Sequence, residues 1–324
     1  MFDILILFYF IRESLRRGRP DTIFSVLPHN GAACVATIFA RVIGARFIVD
    51  IHDTWPESIL SVTKLNFITK VGYYVWKACA DFPLRYADYV FSESVQYAER
   101  ANSIRKSSEQ SRAQAIYLGG DPDYYRSILP AERLPEKLQS AKFIVAYAGT
   151  LGENYDLDCL IDAFANFESE CPEAGLLILG GGEREMAIRT KIADVSIKAW
   201  VSGRLPYRIL LGYLKRSHIG LNCFKAGGNV AYSYKLNDYL LLGLPVINSL
   251  EGESAHLIST QDLGVNYQAG NPESLLNALR ACYNRFLANG QSWTEKVVDF
   301  SSQMLDRKVN YRPLIERCLY SKSK

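Results

Sequence analysis

The segment from Lys235 to Ile247 carries the residues best suited to binding a phosphate group. It predicts a short apolar helix that begins near the lysine, stops at Gly243 and is followed, after Pro245, by a strand. Free backbone N–H groups and the positive end of the helix dipole would meet at the helix start, where Lys235 adds a full charge. Asp238 lies one turn further on the same face and could accept hydrogen bonds from a ribose. An ordinary helix-to-strand connection with a solvated lysine explains this segment equally well.

A second group of polar residues follows the apolar run that ends near residue 50. His52 and Asp53 could donate and accept hydrogen bonds at a substrate hydroxyl, and Trp55 offers a flat face for a sugar ring. In open α/β sheets, ligands collect at the carboxyl ends of strands, where we expect this segment. The alternative is a helix N-terminus capped by Asp53 or Thr54, with Glu57 in its first turn. The two interpretations are compatible, because a capping role for Asp53 or Thr54 leaves His52 and Trp55 unexplained.

Two glycine-rich segments also follow predicted strands. The amides of the loop 147–152 could line a phosphate pocket, although a plain strand-to-helix turn explains the loop equally well. The segment 179–185 lacks the third glycine of a dinucleotide fingerprint at its proper spacing, which favours a tight turn. Two D-x-D pairs, at 121–123 and 156–158, stand in a proline turn and a helix cap. We therefore predict no metal and no other cofactor, and no hydrolase elbow, P-loop or H-E-x-x-H motif is present.

Length and composition indicate a soluble protein of two domains. The chain has 324 residues, of which 48% are hydrophobic and 22% charged, and that length exceeds what one hydrophobic core usually serves. The net charge of +3 is too small to indicate nucleic-acid binding. Seven scattered cysteines without a C-x-x-C pair favour a reducing compartment and argue against structural zinc. The apolar start at 2–11 is too short to span a bilayer, so the cytoplasm is the expected location.

Short apolar runs alternate with helical stretches, which is the pattern of parallel βα units. The runs predict strands at 22–26, 46–50, 89–92, 115–118, 143–147, 176–179, 219–223 and 245–248. Helices are predicted at 156–169 and 183–194. The segment 121–142 carries prolines and charges without a clear strand, so we expect it to link a first domain (1–140) to a second (141–299). A terminal helix at 300–324 could pack back on the first domain.

One stretch combines basic and aromatic side chains that suit the surface of an anionic membrane. Its members are Lys64, Phe67, Lys70, Tyr73, Tyr74, Trp76, Lys77, Phe82 and Arg85. A core helix with a solvated lysine face explains the stretch slightly better. Four arginines at 12–19, just after the apolar start, also leave peripheral membrane contact open.

Taken together, eight segments in order resemble the family 4 glycosyltransferases of the GT-B fold, in the branch that builds bacterial capsule, O-antigen and exopolysaccharide repeats. They are RPD at 19–21, DIHDTWPES at 50–58, RYADYV at 85–90, IYLGGD at 116–121, YAGTLG at 147–152, SGRLP at 202–206, KLNDYLLLGLPVI at 235–247 and GE at 252–253. The resemblance implies an α/β protein of two Rossmann-like domains, with the nucleotide sugar held mainly by the second and the acceptor by the first. It also implies retention of anomeric configuration without a metal.

The resemblance assigns roles to individual residues. His52 matches the family's active-site histidine, and the predicted catalytic residues are His52, Asp53 and Lys235. Asp238 matches the second glutamate of the E-x7-E element, which binds the ribose, and Arg204 lies in the loop near the base. The predicted donor-binding set is Gly149, Thr150, Gly152, Arg204, Tyr234, Lys235, Asp238 and Glu253, and the predicted acceptor-side residues are Trp55 and Glu57.

The chain departs from the family pattern at three places. Val230 stands near the position of the first glutamate of E-x7-E. The residues at 153–156 replace the Arg and Lys that often follow the glycine loop, so Lys235 is expected to neutralise the pyrophosphate in their place. The segment 1–19 resembles the helix that precedes the family's first Arg-Pro-Asp strand, so we expect the first domain to lack its usual opening strands.

The resulting prediction is a cytoplasmic glycosyltransferase, of hexosyl or N-acetylhexosaminyl type, peripheral on the inner face of the membrane. It would move a sugar from a nucleotide donor to a lipid-linked saccharide in surface polysaccharide synthesis. Because the leaving phosphate could take the acceptor proton, no protein nucleophile is required. Two alternatives remain open: a non-catalytic donor-binding or assembly subunit, and a nucleotide-sugar epimerase of the same architecture.

Overall fold

The chain folds into two α/β units. The computed structural model describes residues 2–57, 66–105, 112–227 and 230–320. Unit 1 comprises Met1–Tyr117 and Val309–Lys324, and unit 2 comprises Leu118–Lys308. Within the described ranges, no helix is both long and apolar enough to cross a membrane.

Unit 1 contains a parallel sheet whose strands follow one another in chain order. The strands are β1 (Thr22–Leu27), β2 (Arg46–Ile51), β3 (Tyr89–Ser92) and β4 (Gln114–Ala115), in the order β1-β2-β3-β4. Its helices are α1 (Phe2–Arg17), α2 (Asn30–Ile43), α3 (Phe67–Tyr86) and α4 (Val95–Ile104). These strands confirm the predicted βα alternation, with the predicted strand at 115–118 reduced to two residues.

The core of unit 1 is built around β2. Phe47 and Val49 are fully buried, as expected for a strand covered on both faces. Ile48 and Phe91 pack with Leu314, which lies on the C-terminal helix α12 (Arg307–Tyr320). The end of the chain therefore belongs to the core of unit 1.

Unit 2 contains a parallel sheet of six strands whose order reverses in the middle. The strands are β5 (Phe143–Ala148), β6 (Ala174–Leu179), β7 (Ala199–Val201), β8 (Ile219–Asn222), β9 (Val246–Asn248) and β10 (Gly264–Asn266). Their order is β10-β9-β8-β5-β6-β7, which is the 3-2-1-4-5-6 order of the Rossmann fold. The chain thus runs outward from β5 to β7 and then restarts at β8, on the other side of β5. The crevice at this reversal is where such sheets bind ligands.

Helices connect the strands of unit 2. They are α5 (Pro122–Ser127), α6 (Leu157–Glu170), α7 (Glu185–Val195), α8 (Tyr207–Leu214), α9 (Tyr234–Leu241), α10 (Glu253–Thr260) and α11 (Pro272–Met304), with a break in helical backbone at Asn289 in α11. The predicted helices at 156–169 and 183–194 correspond to α6 and α7. Strands β7 and β10, of three residues each, are not among the predicted strands.

The segment expected as a linker lies along unit 2. Lys215 Nζ donates to the carbonyls of Arg126 and Ile128, and Ala131 N donates to Gly212 O. Gly120 N donates to Leu305 O at 2.9 Å. These bonds explain why the units divide at 117/118, about twenty residues before the boundary that we expected near 140.

Candidate functional site

The strongest candidate site lies where the strand order of unit 2 reverses. The strands β5 and β8 are paired as neighbours here, and the chain leaves β5 through Gly149. Helix α9 begins at Tyr234 and so places Lys235 in its first turn, as the sequence predicted. Gly243 has a φ of +77° just beyond the helix, in agreement with the predicted glycine stop.

Lys235 reaches into a cage of three aromatic rings, which we name the lysine cage. Its Nζ lies 3.5 Å from the ring centroid of Tyr155, 4.7 Å from that of Phe224 and 4.9 Å from that of Tyr147. Ring faces carry negative quadrupole charge and attract an ammonium ion. The rings come from the end of β5, the loop after it and the loop after β8, so the fold of unit 2 assembles the cage.

Within the part of the chain that the structure describes, no carboxylate pairs with the Lys235 amine in this cage. Its Nζ is buried, and among the described residues it has no hydrogen-bond partner. Burial lowers the pKa of Lys235 to about 7, because removal from water disfavours the charged form. Buried polar groups are almost always hydrogen-bonded in folded proteins. An unpartnered buried amine therefore points to a ligand with negative charge.

Gly149 is required for Lys235 to adopt this position. Its φ is +147°, and a Cβ added there would lie 2.4 Å from Lys235 Cε. The next loop is just as tight, since a Cβ on Gly180 would lie 1.9 Å from Gly149 O. The glycines thus allow two loops and one lysine side chain to share the end of the sheet.

Only some amides of the 149–152 loop remain for a ligand. Gly149 N donates to Leu179 O, and Leu151 N donates to Gly181 O. The amides of Thr150 and Gly152 make no hydrogen bond within the described part of the chain. The predicted contact between this loop and a pyrophosphate is therefore limited to two of its amides.

Asp238 is held by two tyrosines. Its Oδ1 accepts a hydrogen bond from Tyr125 at 2.6 Å and another from Tyr207 at 2.5 Å. Burial raises the pKa of Asp238, and the two phenol donors oppose that rise. A ribose bound here would have to use Oδ2 or displace a phenol, so the predicted ribose contact stays a prediction.

The other predicted donor residues lie at the ends of neighbouring elements. Arg204 follows β7 and passes Gly181, where an added Cβ would lie 3.0 Å from Arg204 Cγ. Tyr234 is 47% exposed at the start of α9, and Glu253 begins α10 directly after Gly252, whose φ is +68°. The carbonyl of Thr150 accepts a hydrogen bond from Tyr147. This last contact joins the predicted donor residue Thr150 to a ring of the lysine cage.

The charged residues after the glycine loop neutralise one another. Glu153 pairs with Arg184 at 3.2 Å and with Lys225 at 3.0 Å, and Arg184 also pairs with Asp158. These cations already have carboxylate partners. Lys235 differs from Arg184 and Lys225 because it has no carboxylate partner among the residues described.

The predicted site residues of unit 1 follow β2, but their side chains contact one another. His52 Nε2 lies 3.0 Å from Oδ2 of Asp50, and this hydrogen bond raises the pKa of His52. Asp53 accepts hydrogen bonds from Thr54 N and from Trp55 Nε1, the latter at 2.6 Å. The helix that could follow this loop falls at residues 58–65, outside the described residues.

Glu57, predicted on the acceptor side, lies in a cluster of ion pairs that we name the Glu57 cluster. Its Oε1 lies 2.9 Å from Lys77 Nζ and 2.5 Å from Arg100, and both cations also pair with Asp81. Burial raises the pKa of Glu57, but Lys77 and Arg100 outweigh it and lower the pKa overall. Glu57 therefore fastens its loop to α3 and α4.

The basic and aromatic stretch divides between the interior and the surface. Lys77 belongs to the Glu57 cluster, whereas Trp76 is 40% exposed and stacks on Trp55 with ring centroids 5.8 Å apart. Tyr74 is 58% exposed. Lys64 lies outside the described residues, and membrane contact stays a prediction.

The D-x-D pairs have structural partners. Asp121 caps α5 and pairs with Lys308 at 2.9 Å, and Asp156 accepts a hydrogen bond from Gly270 N at 2.6 Å. In the part of the chain that is described, no group of three His, Cys, Asp or Glu side chains could hold a metal ion.

Several residues of the site were missed at the sequence level. Tyr155 and Phe224 build the lysine cage, and Tyr125 and Tyr207 hold Asp238. Tyr125 had a usable signal, because Asp121 followed by a proline is a helix N-cap pattern. No local sequence pattern points to Tyr155 and Phe224, because these rings come together only through the neighbouring positions of β5 and β8.

Comparison with solved structures identifies the architecture. HepE of Anabaena, solved with UDP, matches with a TM-score of 0.74 at 15% identity, over 98% of this chain and 82% of HepE. The lipopolysaccharide outer core galactosyltransferase WaaB matches with a TM-score of 0.63 at 17% identity, over 99% and 80%. The fold is GT-B. The predicted α/β class with two Rossmann-like domains is thereby confirmed.

The GT-B fold does not by itself fix a function. A putative UDP-N-acetylglucosamine 2-epimerase from Listeria monocytogenes also matches, with a TM-score of 0.63 at 12% identity, over 99% of this chain and 80% of the epimerase. No protein-family model matches the chain. At these identities the likeness establishes the fold, and membership of family 4 stays a prediction.

Proposed function

We propose that this protein is a glycosyltransferase that uses a nucleotide sugar as donor. The observation that carries the proposal is the buried Lys235 amine at the strand reversal of a Rossmann-type sheet, which has no hydrogen-bond partner in the described ranges. A diphosphate would supply the missing negative charge. The structures of HepE with UDP and with UDP-glucose support this choice of ligand, because they have the same fold.

The chemistry required of the site is stabilisation of a leaving nucleoside diphosphate. As the bond between the sugar and the diphosphate breaks, negative charge grows on the phosphate oxygens. Lys235, the amides of Thr150 and Gly152 and the N-terminus of α9 would stabilise this charge. Such donors act most strongly in a site that excludes water, as the buried lysine cage does.

We further propose that transfer retains the anomeric configuration, requires no metal and delivers the sugar to a lipid-linked saccharide. The family resemblance supports this assignment, and the exposed aromatics of α3 are compatible with a peripheral membrane location. In this proposal His52 positions the transferred sugar and donates a hydrogen bond to it. A histidine whose pKa is raised by Asp50 carries a proton more often at neutral pH and suits this role better than that of a base.

The test is transfer from a panel of radiolabelled nucleotide sugars to a bacterial membrane extract. We expect labelled lipid-linked product with the wild type and with Lys142→Ala, which changes an exposed lysine. With Lys235→Ala we expect no product above background, while circular dichroism shows an intact fold. Unchanged turnover in Lys235→Ala would refute the assigned role of this lysine.

A nucleotide-sugar epimerase is the second candidate, favoured by the match to the Listeria protein. An epimerase would convert a free nucleotide sugar without any acceptor, and chromatography of the nucleotide pool detects this conversion. A non-catalytic donor-binding subunit would bind nucleotide sugar and give neither product. The transfer assay, the chromatography and a binding measurement together separate the three functions.

A further inference from the structure

The lysine cage has an unusual charge balance. Cations in protein interiors normally have a carboxylate or several hydrogen-bond acceptors beside them, since an isolated buried charge is costly. The Lys235 amine has three aromatic rings instead. The charge state of this amine is therefore sensitive to whatever anion enters the cage.

The titratable groups on the surrounding elements do not supply the missing charge. They are Tyr147 on β5, Glu153, Tyr155 and Asp156 after it, Cys223 and Lys225 after β8, and Tyr234, Asp238 and Tyr239 on α9 itself. Burial raises the pKa values of the phenols of Tyr147, Tyr155 and Tyr239, and it raises the pKa of Cys223 to about 12. These four groups are therefore neutral near pH 7.

The carboxylates nearby are already engaged. Glu153 pairs with Lys225 and Arg184, and Asp156 accepts a hydrogen bond from Gly270 N. Asp238 accepts its two hydrogen bonds from tyrosines. Among the described residues, none of these carboxylates is bonded to Lys235 Nζ.

We infer that Lys235 is largely a neutral amine when no anion is bound and takes up a proton when the diphosphate of a nucleotide sugar enters the cage. This inference rests on the proposed function and adds to it a coupling between donor binding and proton uptake. Direct contact with two phosphate charges favours the ammonium form strongly. The proton comes from solvent, and the diphosphate then forms charge-assisted hydrogen bonds with the ammonium group.

The coupling has a defined consequence for affinity. A pKa of about 7 for Lys235 leaves progressively less ammonium as the pH rises above that value. If the diphosphate binds the ammonium form, the dissociation constant rises about tenfold per pH unit until the pKa of the bound state is reached. Below about pH 6 the amine is already protonated, and binding takes up almost no proton.

The test is an NMR titration of protein that contains lysine labelled with ¹³C at Cε. The Lys235 resonance is the one that Lys235→Arg removes, and Lys142→Arg assigns an exposed lysine as the internal control. Without ligand we expect a midpoint of about 7 for Lys235. For Lys142 we expect a midpoint above that of an ordinary lysine, because Glu173 raises its pKa. Saturating UDP-glucose should move the Lys235 midpoint above about 9. Inorganic pyrophosphate serves as a second probe.

Each outcome has a clear meaning. A midpoint near 10 for Lys235 without ligand overturns the inference. So does a low midpoint that neither UDP-glucose nor pyrophosphate shifts. If calorimetry shows UDP-glucose binding while the midpoint stays unmoved, the coupling fails and the proposed donor binding survives. If pyrophosphate shifts the midpoint but no nucleotide sugar binds, the coupling holds and the proposed function fails.

The pH dependence of affinity provides a second readout. Between pH 7.5 and 9, we expect the dissociation constant for UDP-glucose to rise more than about tenfold in the wild type. In Lys235→Arg, whose side chain stays charged throughout, we expect it to change less than about twofold. Equal pH dependence in both proteins would overturn the inference.

Discussion

The Glu57 cluster of unit 1 and the lysine cage of unit 2 differ in how their buried charges are compensated. In the Glu57 cluster two carboxylates face two cations, and the four charges balance. In the lysine cage a single amine faces three neutral rings. Both clusters follow parallel strands, at the edge where α/β sheets bind ligands. The position of the two clusters relative to their sheets therefore does not explain why they differ.

The two clusters differ in whether the protein itself supplies a counter-charge for each buried charge. In the balanced, half-buried network, Glu57 Oε2 also makes no hydrogen bond within the described residues, but the charge of its carboxylate is already compensated by Lys77 and Arg100. Glu57 is therefore better explained as an anchor than as an acceptor contact. An unbalanced amine lowers the stability of the folded protein and is useful only when a ligand supplies the counter-charge. The comparison assigns a structural role to the Glu57 cluster and a binding role to the lysine cage.

The largest effect is expected from Lys235→Met, which keeps the length of the side chain and removes its charge. The affinity for UDP-glucose at pH 6.5 should fall at least about 100-fold, since charge-assisted contacts to the diphosphate are lost. The free energy of unfolding at pH 8 should rise by about 1 kcal/mol, because an unpartnered polar group leaves the interior. Calorimetry and urea unfolding measure the two quantities.

Lys142→Met is the matched control for this variant. Lys142 is exposed and pairs with Glu173 at the surface, so both quantities should stay close to wild type. A Lys235→Met protein that binds UDP-glucose within about threefold of wild type would remove the distinction between the two clusters.

Arg100→Ala should produce the reverse pattern in unit 1. It leaves Glu57 and Asp81 with Lys77 as their shared cation, and we expect a loss of about 2 kcal/mol in the free energy of unfolding. UDP-glucose binding should not change. Arg126→Ala breaks an ion pair with Asp123 at the surface and should cost less than about 0.5 kcal/mol. Equal losses in the two variants would show that the Glu57 cluster is no more than a surface network.

Substitutions of Asp238 and of its hydrogen-bond donor Tyr125 are expected to have effects of intermediate size. Asp238→Asn should weaken UDP-glucose binding about tenfold if this carboxylate also binds the ribose. Tyr125→Phe removes one donor to Asp238 and should cost about 1 kcal/mol of stability with a smaller effect on binding. If Asp238→Asn changes the stability but not the affinity for UDP-glucose, the role of Asp238 is limited to its contacts with the two tyrosines.

The smallest effect concerns the pair of His52 and Asp50. The hydrogen bond raises the pKa of His52, so the pair contributes stability that is complete below the unfolded pKa of about 6.5. That stability is lost as the pH rises through the higher folded pKa. Asp50→Asn should lower the pKa of His52, measured by histidine NMR, and reduce the loss of stability between pH 6 and 8. An unchanged pKa would show that Asp50 is not its cause.

The sequence predicted those parts of the site that depend on local pattern. The position of Lys235 at a helix start, the glycine stop at Gly243 and most strands follow from hydrophobic periodicity and capping rules. The rings around Lys235 do not, because Tyr155 and Phe224 meet only after β5 and β8 become neighbours. Sequence spacing gives no information on such a contact.

The expected linker shows a second limit of sequence patterns. Prolines and charges at 121–142 are typical of an exposed connection, and the segment contains no described strand. Yet Tyr125 is 6% exposed and donates to Asp238 across the chain. Lys215 and Arg216 fasten the same segment through its backbone carbonyls. Backbone contacts of this kind leave no periodic pattern in either partner.

A crystal structure with UDP-glucose tests the central claim most directly, because that claim concerns one atom, the Lys235 amine. We predict that a diphosphate oxygen lies within hydrogen-bond distance of Lys235 Nζ, with a further oxygen on the amides of Thr150 or Gly152. A diphosphate bound elsewhere, with Lys235 still enclosed by Tyr155 and Phe224 and touching no ligand atom, would contradict the account.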